Sequence, residues 1–211
     1  VNAKRVGVLD YGSGNLHSAC RALEAAGASV VLSSRAAELR PLDALVVPGV
    51  GAFEACMRQL VAVGGDDLVR EWVASERDLL GICVGHQVLF AHGVEHGVSA
   101  EGIGTFPGTV ERLASPRLPH MGWNLVDTGG YDGVFDGVAD QRFYFVHSYA
   151  AHEHDAQGVA CLPSDAHVAV TEHEGDRFVA AVQWHGVTST QFHPEKSGAA
   201  GACLLRAWLM G

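Results

Sequence analysis

The sequence predicts a single α/β domain spanning residues 1–211, with a central, mostly parallel mixed sheet flanked by helices. Three observations carry this. The first half alternates short apolar runs with segments of helical period, as strand–turn–helix units do. The run Ala44-Leu45-Val46-Val47 is apolar at every position, which suits a central parallel strand covered on both faces. And 211 residues at 48% hydrophobic and 18% charged are enough to bury a core without disulfide or metal staples.

Val6 to Leu9 is the first strand, ending in the turn Asp10-Tyr11-Gly12-Ser13-Gly14. Asn15 stands where a helix cap belongs. Leu16, Ala19, Cys20, Leu23 and Ala26 then recur at helical spacing up to Gly27, which stops the helix. Val30–Leu32 is the second strand. Ala44–Val47 is the third, stopped by Pro48-Gly49. A helical stretch from about Ala52 to Arg77 is broken near Gly64-Gly65, and Leu79–Ile82 is the fourth strand, followed by a helical pattern from Val84 to about His92. The second half changes character. Phe143–Val146, His167–Thr171, Phe178–Val182 and Thr188–Phe192 are short apolar runs separated by Gly, Asp and Pro, as in hairpins. A helix from about Gly198 to Leu209 follows.

The charge balance narrows the function classes. A net charge of −10, with no Lys/Arg cluster, excludes an electrostatic nucleic-acid binder. No apolar stretch is long enough to span a bilayer, and the segment from Val1 to Asp10 lacks the pattern of a signal peptide. The five cysteines, Cys20, Cys56, Cys83, Cys161 and Cys203, are odd in number and contain no CxxC pair, which points to free thiols in the reducing cytoplasm. Lys4 and Lys196 are the only lysines.

The sharpest local feature is Gly81-Ile82-Cys83-Val84-Gly85, at a predicted strand-to-helix junction. It is the thiol form of the nucleophile elbow, in which small flanking residues let a tight turn project the nucleophile from the sheet. A helix N-terminus favours thiolate, and Val84 offers a backbone N–H to an oxyanion. The other four cysteines read as small buried hydrophobes. A thiol nucleophile needs a base, and the base needs an orienting group. Gln191-Phe192-His193-Pro194-Glu195 supplies both: Pro194 keeps His193 extended, and in an extended chain His193 and Glu195 share a face.

Gly81-Ile82-Cys83-Val84-Gly85-His86-Gln87 together with Gln191-Phe192-His193-Pro194-Glu195 resembles the class I, triad-type glutamine amidotransferases, and Val46-Val47-Pro48-Gly49-Val50-Gly51 is similar to their oxyanion strand. Within that family, four further segments resemble the glutaminase subunits of imidazole glycerol phosphate synthases. They are Asp10–Asn15, His120-Met121-Gly122-Trp123-Asn124, Tyr144-Phe145-Val146-His147-Ser148-Tyr149 and Lys196-Ser197-Gly198. His86 departs from the pattern, which often has Met or Leu there.

The resemblance implies a flavodoxin-like fold and hydrolysis of L-glutamine to glutamate and ammonia by Cys83, His193 and Glu195, with no cofactor. It implies oxyanion donors at Val50, Gly51 and Val84, and glutamine contacts from Gly49, Gln87, Glu95, Ser148 and Tyr149. It further implies a heterodimer with a β/α-barrel cyclase subunit that receives the ammonia in histidine biosynthesis. Met121, Trp123 and Lys196 would lie at that joint. On the residues alone Glu95 reads almost as well as a solvated helix-end carboxylate, and Trp123 equally well as a core tryptophan. A dinucleotide fingerprint fails because His17 stands where the third Gly belongs, and no phosphate-binding P-loop occurs. His92/His96, expected on one helical face, and His152/His154 lack a third metal ligand at a sensible spacing, so no metal is expected.

Overall fold

The strand–turn–helix alternation of the first half builds one side of a seven-stranded sheet. The computed structural model describes residues 3–211; Val1 and Asn2, which the expected 1–211 domain includes, lie outside the described residues. In chain order the first half contains β1 (Arg5–Leu9), α1 (Leu16–Ala26), β2 (Ser29–Ser33), α2 (Ala36–Leu39), β3 (Ala44–Gly49), α3 (Phe53–Ala62), α4 (Gly65–Ala74) and β4 (Asp78–Cys83). After the short α5 (Val84–Gln87) come β5 (Phe90–Glu95), β6 (Val98–Glu101), β7 (Phe106–Arg112) and β8 (His120–Leu125). The chain continues through β9 (Arg142–His147), β10 (Tyr149–Ala151), β11 (His167–His173), β12 (Asp176–Trp184) and β13 (Val187–Thr190) to α6 (Gly198–Met210).

The main sheet has the order β11-β12-β13-β4-β3-β1-β2. Its strands β2, β1, β3, β4 and β13 run parallel, and the β12–β11 hairpin completes it antiparallel. This is the mixed, mostly parallel sheet expected, and every residue of β3 is buried, as its unbroken apolar run requires. A second sheet, β10-β7-β5-β6, and the ribbon β8–β9 stand beside it.

Several expected boundaries move, each for a local reason. Asn15 occupies the cap position of α1, but its side chain makes no capping bond. Strand β3 runs past Val47 through Pro48 and Gly49, which carries its end alongside Cys83. The helix expected from Val84 to His92 stops at Gln87, because the chain turns at once to pair Phe90 with Phe106. Gly93 then lies flat against the Phe53 ring, leaving no room for a side chain. His92 and His96 are therefore not on one helical face: His92 sits in β5 and His96 in the hairpin turn after it. The segment around Trp123 is strand β8, paired along its whole length with β9. Among the described residues no helix is long and apolar enough to cross a membrane.

Candidate active site

The parallel register sets the site. Gly49 at the end of β3 pairs with Cys83 at the end of β4, and β13 pairs with β4 on the other side, Thr190 opposite Ile82. Loops beyond the carboxyl ends of parallel strands are where open α/β sheets hold ligands. Cys83 turns sharply there, with φ 56° and ψ −111°, a backbone setting that is rare and costly for a side-chain-bearing residue. The neighbouring glycines make the turn possible. A Cβ on Gly81 would lie 2.6 Å from the Gly85 carbonyl oxygen, and one on Gly85 would collide with the carbonyl oxygen of Val47.

His193 reaches the same place from the segment just beyond the carboxyl end of β13. Its backbone N–H donates to Tyr144 O at 2.9 Å, and Ser197 Oγ donates to His193 O at 2.6 Å while accepting from Tyr144 N–H at 3.0 Å. His193 and Glu195 do not meet as alternate residues of an extended strand. His193 is extended, with φ −103° and ψ 94°, but Pro194–Lys196 is one 3₁₀ turn, and that turn brings Glu195 back. Nδ1 of His193 then lies 2.7 Å from Glu195 Oε1, with the side chains 2% and 4% exposed. Burial alone would lower the His193 pKa; the nearness of Cys83 and the bond to Glu195 outweigh it and lift the value to about 9. Nε2 makes no completed hydrogen bond among the described residues. With Nδ1 committed to Glu195, Nε2 is the nitrogen that can exchange a proton with the thiol or a leaving group.

A cavity of about 260 Å³ opens beside Cys83. Val50, Gly51, Val84, Gln87, Glu95, Ser148, Tyr149, His193 and Lys196 line it with Cys83, together with Val146 and His147. Of the expected site residues, Gly49 lies behind this wall in register with Cys83, and Glu195 behind His193. Glu95 accepts from the N–H of Phe53, the first residue of α3, at 3.1 Å. Desolvation raises its pKa nonetheless. Val84 opens α5, so its N–H has no intrahelical acceptor. Val50 is differently placed: its N–H donates to Ser13 Oγ at 3.2 Å, and its carbonyl accepts from Ser13 Oγ at 2.6 Å and Cys56 Sγ at 3.2 Å. Val50 must leave Ser13 before its N–H can serve anything bound at Cys83.

Met121 and Trp123 lie outside the cavity, 63% and 51% exposed. Along β8 the even-numbered His120 is buried and the odd-numbered Met121, Trp123 and Leu125 face solvent, so Trp123 is a surface residue and not a core one. Its ring lies edge-on to Tyr144, whose carbonyl holds His193.

Sequence reasoning gave no role to Gln191, Ser13, Ser197 or His147. Gln191 Nε2 approaches Cys83 Sγ at 3.9 Å and its Oε1 accepts from Gln87 Nε2 at 2.9 Å. All four sit inside quoted segments, but which neighbour each would bond depends on strands far apart in sequence. His86 is wholly buried behind the elbow, bonded to Ser189 Oγ at 2.8 Å, with burial lowering its pKa to about 3. It is a neutral packing residue. Of the histidines first weighed as metal ligands, His152 pairs with Asp176 at 2.9 Å.

The arrangement is therefore a thiol on a strained elbow, an imidazole oriented by a buried carboxylate, and a small cavity with both polar and apolar walls. A family model, "Glutamine amidotransferase class-I", matches residues 7–209. The chain is 53% identical over 205 residues to "Imidazole glycerol phosphate synthase subunit HisH" of Cutibacterium acnes, covering 97% of this chain and 96% of that one. It is 49% identical over 212 residues to the protein of the same name from Mycobacterium tuberculosis, covering 100% of both. Among solved structures, PurLQS from Thermotoga maritima shares the fold, with a TM-score of 0.74 at 16% identity over 99% of each chain. A crystal structure described as a glutamine amidotransferase does too, with a TM-score of 0.71 at 23% identity over 97% of each chain.

Proposed function

Given that the chain belongs to the class I glutamine amidotransferase family, we propose that it is the glutaminase subunit of an imidazole glycerol phosphate synthase, acting in histidine biosynthesis. The observation that carries the chemistry is the Cys83 elbow beside a buried His193–Glu195 pair. The observation that carries the pathway is about 50% identity to subunits of that synthase along nearly the whole chain.

In this reading the Cys83 sulfur attacks the carboxamide carbon of L-glutamine. His193 takes the thiol proton and, as imidazolium, delivers it to the departing nitrogen, so ammonia leaves and a glutamyl thioester remains. Water, deprotonated by His193, then attacks the thioester, releasing glutamate and restoring the thiol. Glu195 fixes the imidazole and stabilises its charged form. The N–H of Val84, and those of Val50 and Gly51 once Val50 has left Ser13, hold the oxyanion. Gln87, Glu95 and the backbone of Ser148 and Tyr149, with Gly49 behind them, form the glutamine-binding wall.

Ammonia then passes, near Lys196, to a β/α-barrel cyclase subunit docked as a heterodimer on the face of Met121 and Trp123, in the cytoplasm. There it completes imidazole glycerol phosphate and an aminoimidazole-carboxamide ribonucleotide. The test is to co-purify the chain with such a cyclase and assay synthesis from glutamine and from ammonium salts. Cys83→Ala is expected to abolish the glutamine-dependent reaction and leave the ammonia-dependent one intact. Loss of both, or survival of both, overturns the reading.

A further inference from the structure

A line of hydrogen bonds runs from the buried first residue of β8 to the Cys83 sulfur, and each donor and acceptor along it has a definite role. The Tyr149 carbonyl can only accept, so the His147 Nδ1 that meets it at 2.9 Å carries a proton. In a neutral ring His147 Nε2 is then an acceptor, and His120 Nδ1, at 3.1 Å, must donate to it. The same Tyr149 carbonyl accepts from Gln87 Nε2 at 2.8 Å, and the second proton of that amide goes to Gln191 Oε1 at 2.9 Å. Both donors of Gln87 are thus used, which turns its Oε1 outward as an acceptor and leaves Gln191 Nε2 as the group that approaches Cys83 Sγ at 3.9 Å.

Reversing any one member breaks the line. His120 and His147 are 4% and 7% exposed, and His120 is stacked between Phe145 and His173 with ring centroids 4.9 and 4.3 Å away. Phe178 closes on His147 edge-on at 4.9 Å. Burial holds both rings neutral, as the assignment requires, with pKa values lowered to about 4 for His120 and about 3 for His147.

We propose that His147, backed by His120, is a positioning residue for the Cys83 site: its Nδ1–H holds the Tyr149 carbonyl that orients Gln87 and, through it, the Gln191 amide beside the sulfur. The proposal rests on the reading of that site as a glutaminase, and it gives this histidine pair a task that packing alone would not.

Substitutions separate the two. Asparagine places an amide N–H where Nδ1 was, whereas glutamine places one where Nε2 was and phenylalanine supplies neither. In the complex with the cyclase, His147→Phe and His147→Gln are expected to lower glutamine-dependent kcat about tenfold, the size of one net hydrogen bond, while His147→Asn stays within about threefold of the unsubstituted complex. Ammonia-dependent synthesis is expected not to change. In the full chain alone, alkylation of Cys83 by iodoacetamide is expected to slow in the Gln and Phe variants and recover in the Asn variant. Asn and Gln variants that behave alike in both assays overturn the proposal, as does a Phe variant with unsubstituted kinetics. If the Phe variant does not fold, the Asn–Gln pair decides. If no glutamine turnover occurs even without substitution, the assigned function fails, and the alkylation pattern still decides the role of His147.

Discussion

His193 and Glu195 meet through Nδ1 and Oε1 at 2.7 Å, inside a 3₁₀ turn and almost wholly out of solvent. Burial would lower the histidine's pKa, but the nearness of Cys83 and the bond to Glu195 lift it from 6.5 to about 9, which favours the imidazolium formed when His193 takes the thiol proton. Glu195 Oε2 has no hydrogen-bond partner among the described residues, so this carboxylate is committed to one histidine.

A pH dependence follows from that shift. A histidine whose folded pKa exceeds its unfolded one contributes stability that is fully present below the unfolded value and is lost as pH rises through the folded value. The melting temperature is therefore expected to fall between pH 6.5 and about 9 from this group. Glutaminase activity should lose its alkaline limb near the same upper value. Glu195→Gln removes the charge that helps raise His193, so its alkaline limb should move to lower pH and kcat should drop about 10²-fold or more, the usual worth of positioned acid–base catalysis. A variant with an unmoved limb would show that Glu195 does not tune His193.

Two glycines near the nucleophile should respond to substitution in different ways. A Cβ on Gly85 collides with the Val47 carbonyl, which is backbone within a buried strand and cannot yield, so Gly85→Ala should destabilise the fold by about 3 kcal/mol or more. Gly51 has φ +97° but nothing within 4 Å of its would-be Cβ, so Gly51→Ala should cost about 1–2 kcal/mol from backbone strain alone. Denaturant unfolding of the two variants measures the contrast.

Ser13 holds Val50 on both sides, accepting from its N–H and donating to its carbonyl. While this lasts, the Val50 N–H is withheld from Cys83. Ser13→Ala removes the acceptor, and if one net hydrogen bond of about 1 kcal/mol had favoured the withheld state, the glutaminase rate of the free chain should rise about fivefold. The readout is glutamate release without a partner. An unchanged or lower rate would mean that Val50 is not the donor that limits the reaction.

The central buried strands and the nucleophile elbow were legible because both are written locally. Val46 and Val47 announce a buried strand, and the glycines around Cys83 announce a tight turn. The strands from Phe90 to Leu125 were hidden because they are short and interrupted by Gly93, Pro107, Gly108 and Gly122; their pairing with distant partners, not their own period, makes them strands. The Val84–His92 pattern fits a helix as well as a turn entering a strand, and the Phe90–Phe106 pairing decides it. The site follows the same rule. His193 and Glu195 were readable as a pair because they are two residues apart. Gln191 and His147 were not, since their partners Gln87, Cys83 and His120 come from other elements.

Trp123 tests the docking face. A strand that buries His120 and turns Met121, Trp123 and Leu125 to solvent at 63%, 51% and 48% exposure leaves an apolar strip that its own fold does not cover. Such a strip favours a partner, and tryptophan is enriched among residues that dominate binding energy. Trp123 packs edge-on against Tyr144 alone among the described aromatic rings, so removing it should barely disturb the fold. Trp123→Ala is therefore expected to leave the melting temperature of the free chain nearly unchanged. It should weaken association with the cyclase by about 2 kcal/mol or more, close to thirtyfold in Kd. Titration calorimetry with the purified cyclase measures this directly. Unaltered affinity would move the interface off β8, and a large fall in melting temperature would return Trp123 to a structural role.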